Sequence, residues 1–152
     1  MEITSTAFVE GDTIPRPYTC DEEDLSPPLS FSGVPDTATT LALIVDDPDA
    51  PAGTWVHWVL FDLPAETSGL PEGVPKEPRP ALGGSQGANS WGRTGYAGPC
   101  PPPPTGEHRY FFRLYALDAA IDLAPGARAD DVRGAMDGHV LAEASLMGTY
   151  RR

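Results

Sequence analysis

The sequence predicts a mainly β domain of short strands and turns, with an amphipathic helix near its C-terminus. Three observations predict it. Thr40–Asp46, Trp55–Asp62 and His108–Asp118 each carry a strand pattern. The 152 residues include 18 prolines and 16 glycines, well above average usage, which favours turns over long helices. Val132, Ala135, Met136, His139 and Val140 recur at i, i+3, i+4, i+7 and i+8, the spacing of one helical face. With 40% hydrophobic residues, one domain over residues 1–152 can bury its own core.

Taken in order, Ile3, Ala7, Val9 and Ile14 alternate weakly and predict an edge strand within residues 1–14. Residues 15–36 are turn-rich, with prolines at 15, 17, 27, 28 and 35 around one extended piece, LSFSG. Thr40–Asp46 is a continuous apolar run, the mark of a strand buried on both faces. Asp47–Gly53 breaks it. Strict alternation then places Trp55, His57, Val59 and Phe61 on one face of the next strand. Residues 64–107 show no convincing strand or helix. A connection that long in a compact domain points to function, and Trp91 and Tyr96 set it apart from a disordered linker. In the third strong strand His108, Tyr110, Phe112 and Leu114 share a face. Asp130 and Asp131 mark the start of the helix.

Charge excludes some functions. Ten Lys and Arg against 22 Asp and Glu give a net charge of −12, which disfavours nucleic acid and anionic membrane surfaces as partners. Lys76 is the only lysine. An acidic surface nearly free of lysine suits a salty cytoplasm, where ions screen self-repulsion. A GC-rich genome would give the same arginine bias. The N-terminus has neither a basic start nor an apolar run, so the expectation is a cytoplasmic protein. Cys20 and Cys100 form no CxxC pair and are expected to be free thiols.

Several segments could carry chemistry. GGSQG at 83–87 matches a serine-hydrolase elbow, but neither the strand before it nor the helix after it is present, so Ser85 is not read as a nucleophile. No phosphate-binding P-loop and no zinc-ligand spacing occur. In DPDAP (47–51), Pro48 and Pro51 fix the backbone around Asp47 and Asp49. The segment is either a turn that ends the strand or a pair of aimed carboxylates. His57 lies mid-strand, and His108 and Tyr110 leave the Gly/Pro-rich loop pointing to one side. Two imidazoles, a phenol and the amides of a glycine loop would make an anion site, with one carboxylate orienting an imidazole.

DPDAP, WVHWV (55–59), NSW (89–91), GYAGPCPP (95–102), GEHRY (106–110) and FRLYALD (112–118), in that order, resemble the phosphatidylethanolamine-binding protein family. Within it they resemble the bacterial and archaeal Raf-kinase-inhibitor-like branch, which the tail GHVLAEASLMGTYRR also fits. The resemblance implies a Greek-key-like β-sandwich with short peripheral helices and a small pocket for phosphate-type anions. Carried over by motif, the ligand-binding residues are Asp47, Asp49 and His57, a rim of Gly98, Pro99, Cys100 and Pro101, and a far wall of His108 and Tyr110. It also raises a cis Ala50–Pro51 bond and a homodimer. CPPPPTGEH is proline-heavy for that loop, a departure that affects the rim.

The first functional expectation is a non-catalytic module binding a phosphate, phosphomonoester or phospholipid head group, with no cofactor or metal and no stable membrane association. The alternatives are an inhibitor that takes a kinase's or peptidase's acidic or phosphorylated side chain into the same pocket, and a hydrolase using Asp47, His57 and His108 as acid and base.

Overall fold

The computed structural model describes all residues from Met1 to Arg152. The chain runs β1 (Glu2–Thr4), β2 (Leu29–Ser32), β3 (Thr40–Asp47), β4 (Trp55–Pro64), β5 (Gly69–Leu70), β6 (Ser85–Gln86), β7 (His108–Leu117), α1 (Ala129–Met136) and β8 (Val140–Tyr150). Two single-turn 3-10 helices lie at Arg16–Tyr18 and Pro103–Thr105. The strands form an antiparallel three-stranded sheet, β1-β2-β5, and an antiparallel five-stranded sheet, β6-β4-β3-β7-β8.

The main core lies between the sheets. Ile3, Leu29, Phe31 and Leu70 from the small sheet meet Leu43, Val45, Leu60, Phe112 and Leu114 from the large one. A second cluster covers the opposite face of the large sheet, where Val132 and Met136 of α1 pack on Ala42, Ile44, Val59 and Phe61. β3 is therefore covered on both faces and buried at all of its positions. That is why its sequence is a continuous apolar run rather than an alternating one.

Four expectations change. First, α1 stops at Met136; Gly138 has φ +80°, and His139 and Val140 are not helical. β8 follows and pairs with β7 from His108↔Tyr150 to Leu117↔Val140. Its inward positions include Ala142, Ala144 and Gly148, too small to give a strong apolar alternation. Gly148 is required there, because a Cβ would lie 2.6 Å from Ile14. Second, Val45 pairs with Trp58 and Asp46 with Val56, so His57 is an extra residue in β4. This bulge breaks the strict alternation. His57 turns toward Tyr110 of the main core, while Val59 and Phe61 face α1. Third, Cys20 and Cys100 are joined in a disulfide rather than free. Their neighbours in sequence carry no sign of this, because the two cysteines, at a sequence separation of 80, are brought together only by the fold. Fourth, every peptide bond is trans, Ala50–Pro51 included. The N-terminal edge strand is also short, ending at Thr4. No helix is long and apolar enough to cross a membrane.

Candidate anion-binding site

A cavity of about 340 Å³ opens where the end of β3, the start of β4 and the start of β7 meet. Its polar lining is Asp47, His57, His108 and Tyr110, and its apolar lining includes Pro51, Trp55, Trp91 and Pro101. Three segments far apart in sequence supply the polar groups. β3 and β7 are paired neighbours, as are β3 and β4, and this adjacency brings the three together.

Asp47 ends β3 and is almost fully buried. Its Oδ1 accepts the Asp49 N–H at 2.7 Å, and its Oδ2 accepts from His108 Nδ1 at 2.7 Å. The residue thus both closes a turn and orients an imidazole. His108 Nε2 lies 2.8 Å from Thr105 Oγ1, whose own proton goes to the Pro102 carbonyl at 2.7 Å. The His108 ring is thus held at both nitrogens, Nδ1 by the Asp47 carboxylate and Nε2 by the Thr105 hydroxyl.

His57 is held differently. Its Nδ1 lies 2.6 Å from the Ala97 carbonyl, which can only accept. Nδ1 therefore carries the proton, and Nε2 is the free edge. Burial pushes the His57 pKa down, against the opposing pull of the Ala97 carbonyl and the Asp47 charge. The His57 ring packs edge-on to Tyr110 and to Trp91, with centroids 5.2 Å away in each case. Tyr110 has its pKa raised, first by burial and then by Asp47 and Asp49, so its hydroxyl keeps its proton. No group of the chain accepts that proton. Trp55 Nε1 is the one buried side-chain nitrogen or oxygen without a partner.

Six of the residues expected in the site line the cavity: Asp47, His57, Cys100, Pro101, His108 and Tyr110. Asp49, Gly98 and Pro99 do not. The Asp49 carboxylate is bound in a two-point contact by the Arg109 guanidinium, at 2.9 and 2.8 Å, and accepts the Arg109 N–H as well. These contacts hold its pKa at about 2. Asp49 therefore braces the DPDAP turn against β7. The Gly98 N–H is taken by Asp24 Oδ1 at 2.8 Å, and the Pro99 carbonyl accepts from the Cys20 N–H at 3.1 Å. The expected glycine-loop amide is therefore not available to a ligand. Gly98 fits here because a Cβ would lie 2.1 Å from the Tyr18 carbonyl oxygen.

Ala50, Pro51, Ala52, Trp55, Trp91 and Pro102 also line the cavity and were not among the expected ligand residues. The signal for Trp91 was its place in NSW. Asn89 Oδ1 accepts the Trp91 and Arg93 N–H groups and so fixes the turn that presents the indole. Cys100, locked in its disulfide, has no thiol to act as a nucleophile. Ser85 lies on β6 opposite Phe61 and outside the cavity.

The family model described as phosphatidylethanolamine-binding protein matches residues 4–151. A UPF0098 protein of Methanothermobacter thermautotrophicus is 56% identical over 152 residues, covering 100% of this chain and 99% of that one. A crystal structure of a Chlamydia trachomatis protein, described as a putative phosphatidylethanolamine-binding protein homologue, superposes with a TM-score of 0.91 at 43% identity, covering 99% and 97% of the two chains. E. coli YbcL, described as a new member of the mammalian family, superposes with a TM-score of 0.92 at 28% identity, covering 99% and 98%.

Proposed function

The chain belongs to the phosphatidylethanolamine-binding protein family, and from that premise we propose that the cavity binds a small oxyanion, such as phosphate or the head of a phosphomonoester. The observation that carries this reading is the pairing of two free polar edges. The Tyr110 hydroxyl, kept protonated, and His57 Nε2 sit on rings 5.2 Å apart on the cavity wall. Protonated, His57 donates from Nε2, and an oxyanion takes both hydrogen bonds. The His108 ring, fixed by Asp47 at 2.7 Å, stands beside them on the cavity wall.

The walls agree with an anion head on an organic group. Trp55, Trp91, Pro51 and Pro101 give apolar contact area beyond what a bare phosphate fills. The chain's net charge of −12 repels anions at long range, so affinity comes from these local donors.

Calorimetric titration with phosphoethanolamine tests the reading. His57→Ala and Tyr110→Phe each remove one donor and should weaken binding by about 10- to 100-fold, the loss of one hydrogen bond to a charged group. No binding by the wild type, or equal affinity in both variants, removes it.

A further inference from the structure

A second cavity of about 780 Å³ adjoins the first and shares Ala52, Trp55 and Trp91 with it. It lies between the start of β4, the Asn89–Gly92 turn and the start of α1. Its lining differs in kind from that of the first cavity, because it contains two arginines. Arg133 is committed to Asp46 at 2.9 Å. Arg128 forms no ion pair and is exposed to solvent. Asp130 lines the same cavity and works against an anion there, but its carboxylate is almost wholly in solvent and lies 3.7 Å from Arg133. With Arg133 neutralised by Asp46, the cavity keeps one cation outside any ion pair, Arg128, whose backbone N–H is taken by Asp131 at 3.4 Å.

The partition between the cavities is the Trp91 indole. It packs edge-on to Trp55 at 5.4 Å and to His57 at 5.2 Å, and it is 39% exposed. Trp55, against which it packs, also lines both cavities.

We propose that the two cavities are subsites of one binding site for a small ligand with two anionic groups on a short chain. The first group occupies the His57–Tyr110 cavity, and the second is held by the Arg128 guanidinium beyond Trp91. This rests on the reading of the first cavity as an oxyanion site. A guanidinium presents a fork of donors that suits a phosphate or carboxylate at the far end.

The test compares alkanediol bisphosphates of increasing length with alkyl monophosphates of matched length, by calorimetry. At one preferred length the bisphosphate should bind about tenfold more tightly than its monophosphate, as expected for one added charge-assisted contact. Arg128→Ala should abolish that advantage while leaving monophosphate affinity unchanged, Arg128→Lys should keep part of it, and Arg128→Glu should turn it into a penalty. Monophosphate binding with no bisphosphate advantage at any length overturns the inference alone. An advantage that survives Arg128→Ala also overturns it. Failure of both probes to bind removes the first-cavity reading and this inference with it.

Discussion

The Asp47 carboxylate accepts from His108 Nδ1 at 2.7 Å, with both side chains almost fully out of water. The contact joins the end of β3 to the start of β7 and fixes the ring that walls the cavity. A buried charge left without its partner is costly. Asp47→Asn keeps an acceptor but loses the charge, and should destabilise the fold by about 1–3 kcal/mol. His108→Gln should do the same, and the double variant should cost less than the sum. Urea unfolding of the four proteins measures the coupling, expected at about 1–3 kcal/mol. Strict additivity would show that the pair contributes nothing as a pair.

On the proposed reading, His57 should set the pH dependence of oxyanion binding. Burial holds its pKa below the ordinary value. At neutral pH its Nε2 is a lone pair, not a donor, so an oxyanion held there should bind together with a proton. Affinity should rise as pH falls from about 6.5 toward the depressed value, which is a lower window than an unperturbed histidine would give. Sulfate is the probe, because its own charge is constant there. Stability of the unliganded protein moves the other way: the unfolded chain takes up this proton first, so the contribution of His57 is lost as pH drops below about 6.5. Sulfate affinity that is flat between about pH 5 and 8 would eliminate His57 as the proton-linked donor.

Much of this architecture was legible in the residues. β3 announces its double burial through Thr40–Asp46, and β7 announces the shared face of His108 and Tyr110. What sequence could not supply was the adjacency of strands, which is set by pairing across 60 or more residues, as between Asp47 and His108. The bulge at His57 was hidden for another reason. An inserted residue leaves composition unchanged and shifts only the face, so strict alternation misplaces everything on one side of it. β8 was hidden by its small inward residues, and the disulfide by distance along the chain. The Asp49 pairing was hidden as well, because DPDAP gives no hint that Arg109 captures its carboxylate.

The Cys20–Cys100 bridge closes a long loop, with 80 residues of separation. Chain entropy alone gives about 4.5 kcal/mol for a loop of that size, and measured effects typically run at about 2–4. The cavity rim does not depend on the bridge alone. The Cys20 N–H bonds the Pro99 carbonyl, Asp24 holds the Gly98 N–H, and the Tyr96 hydroxyl donates to the Tyr18 carbonyl at 2.6 Å. Cys20→Ser/Cys100→Ser should therefore lose about 3 kcal/mol and melt on the order of 10 °C lower. Its oxyanion affinity should change by well under about tenfold. Loss of binding with stability unchanged would assign the bridge to the site rather than to the fold.

Salt response decides between two electrostatic effects of opposite sign. Eight of the 22 carboxylates have an ion-pair partner, Asp46 with two arginines among them. Screening weakens those pairs, but exposed pairs contribute only about 0–1 kcal/mol each. The remaining carboxylates repel one another on a chain of net charge −12. Raising ionic strength from about 0.01 to about 1 M shortens the Debye length from ~30 to ~3 Å, which quenches this repulsion across the whole surface. The repulsion involves more charges than the pairs do, so the urea midpoint should rise with sodium chloride, and oxyanion association should speed up with it. A midpoint that falls with salt would mean that the local pairs, Asp46 with Arg113 and Arg133 and Asp49 with Arg109, outweigh the global charge.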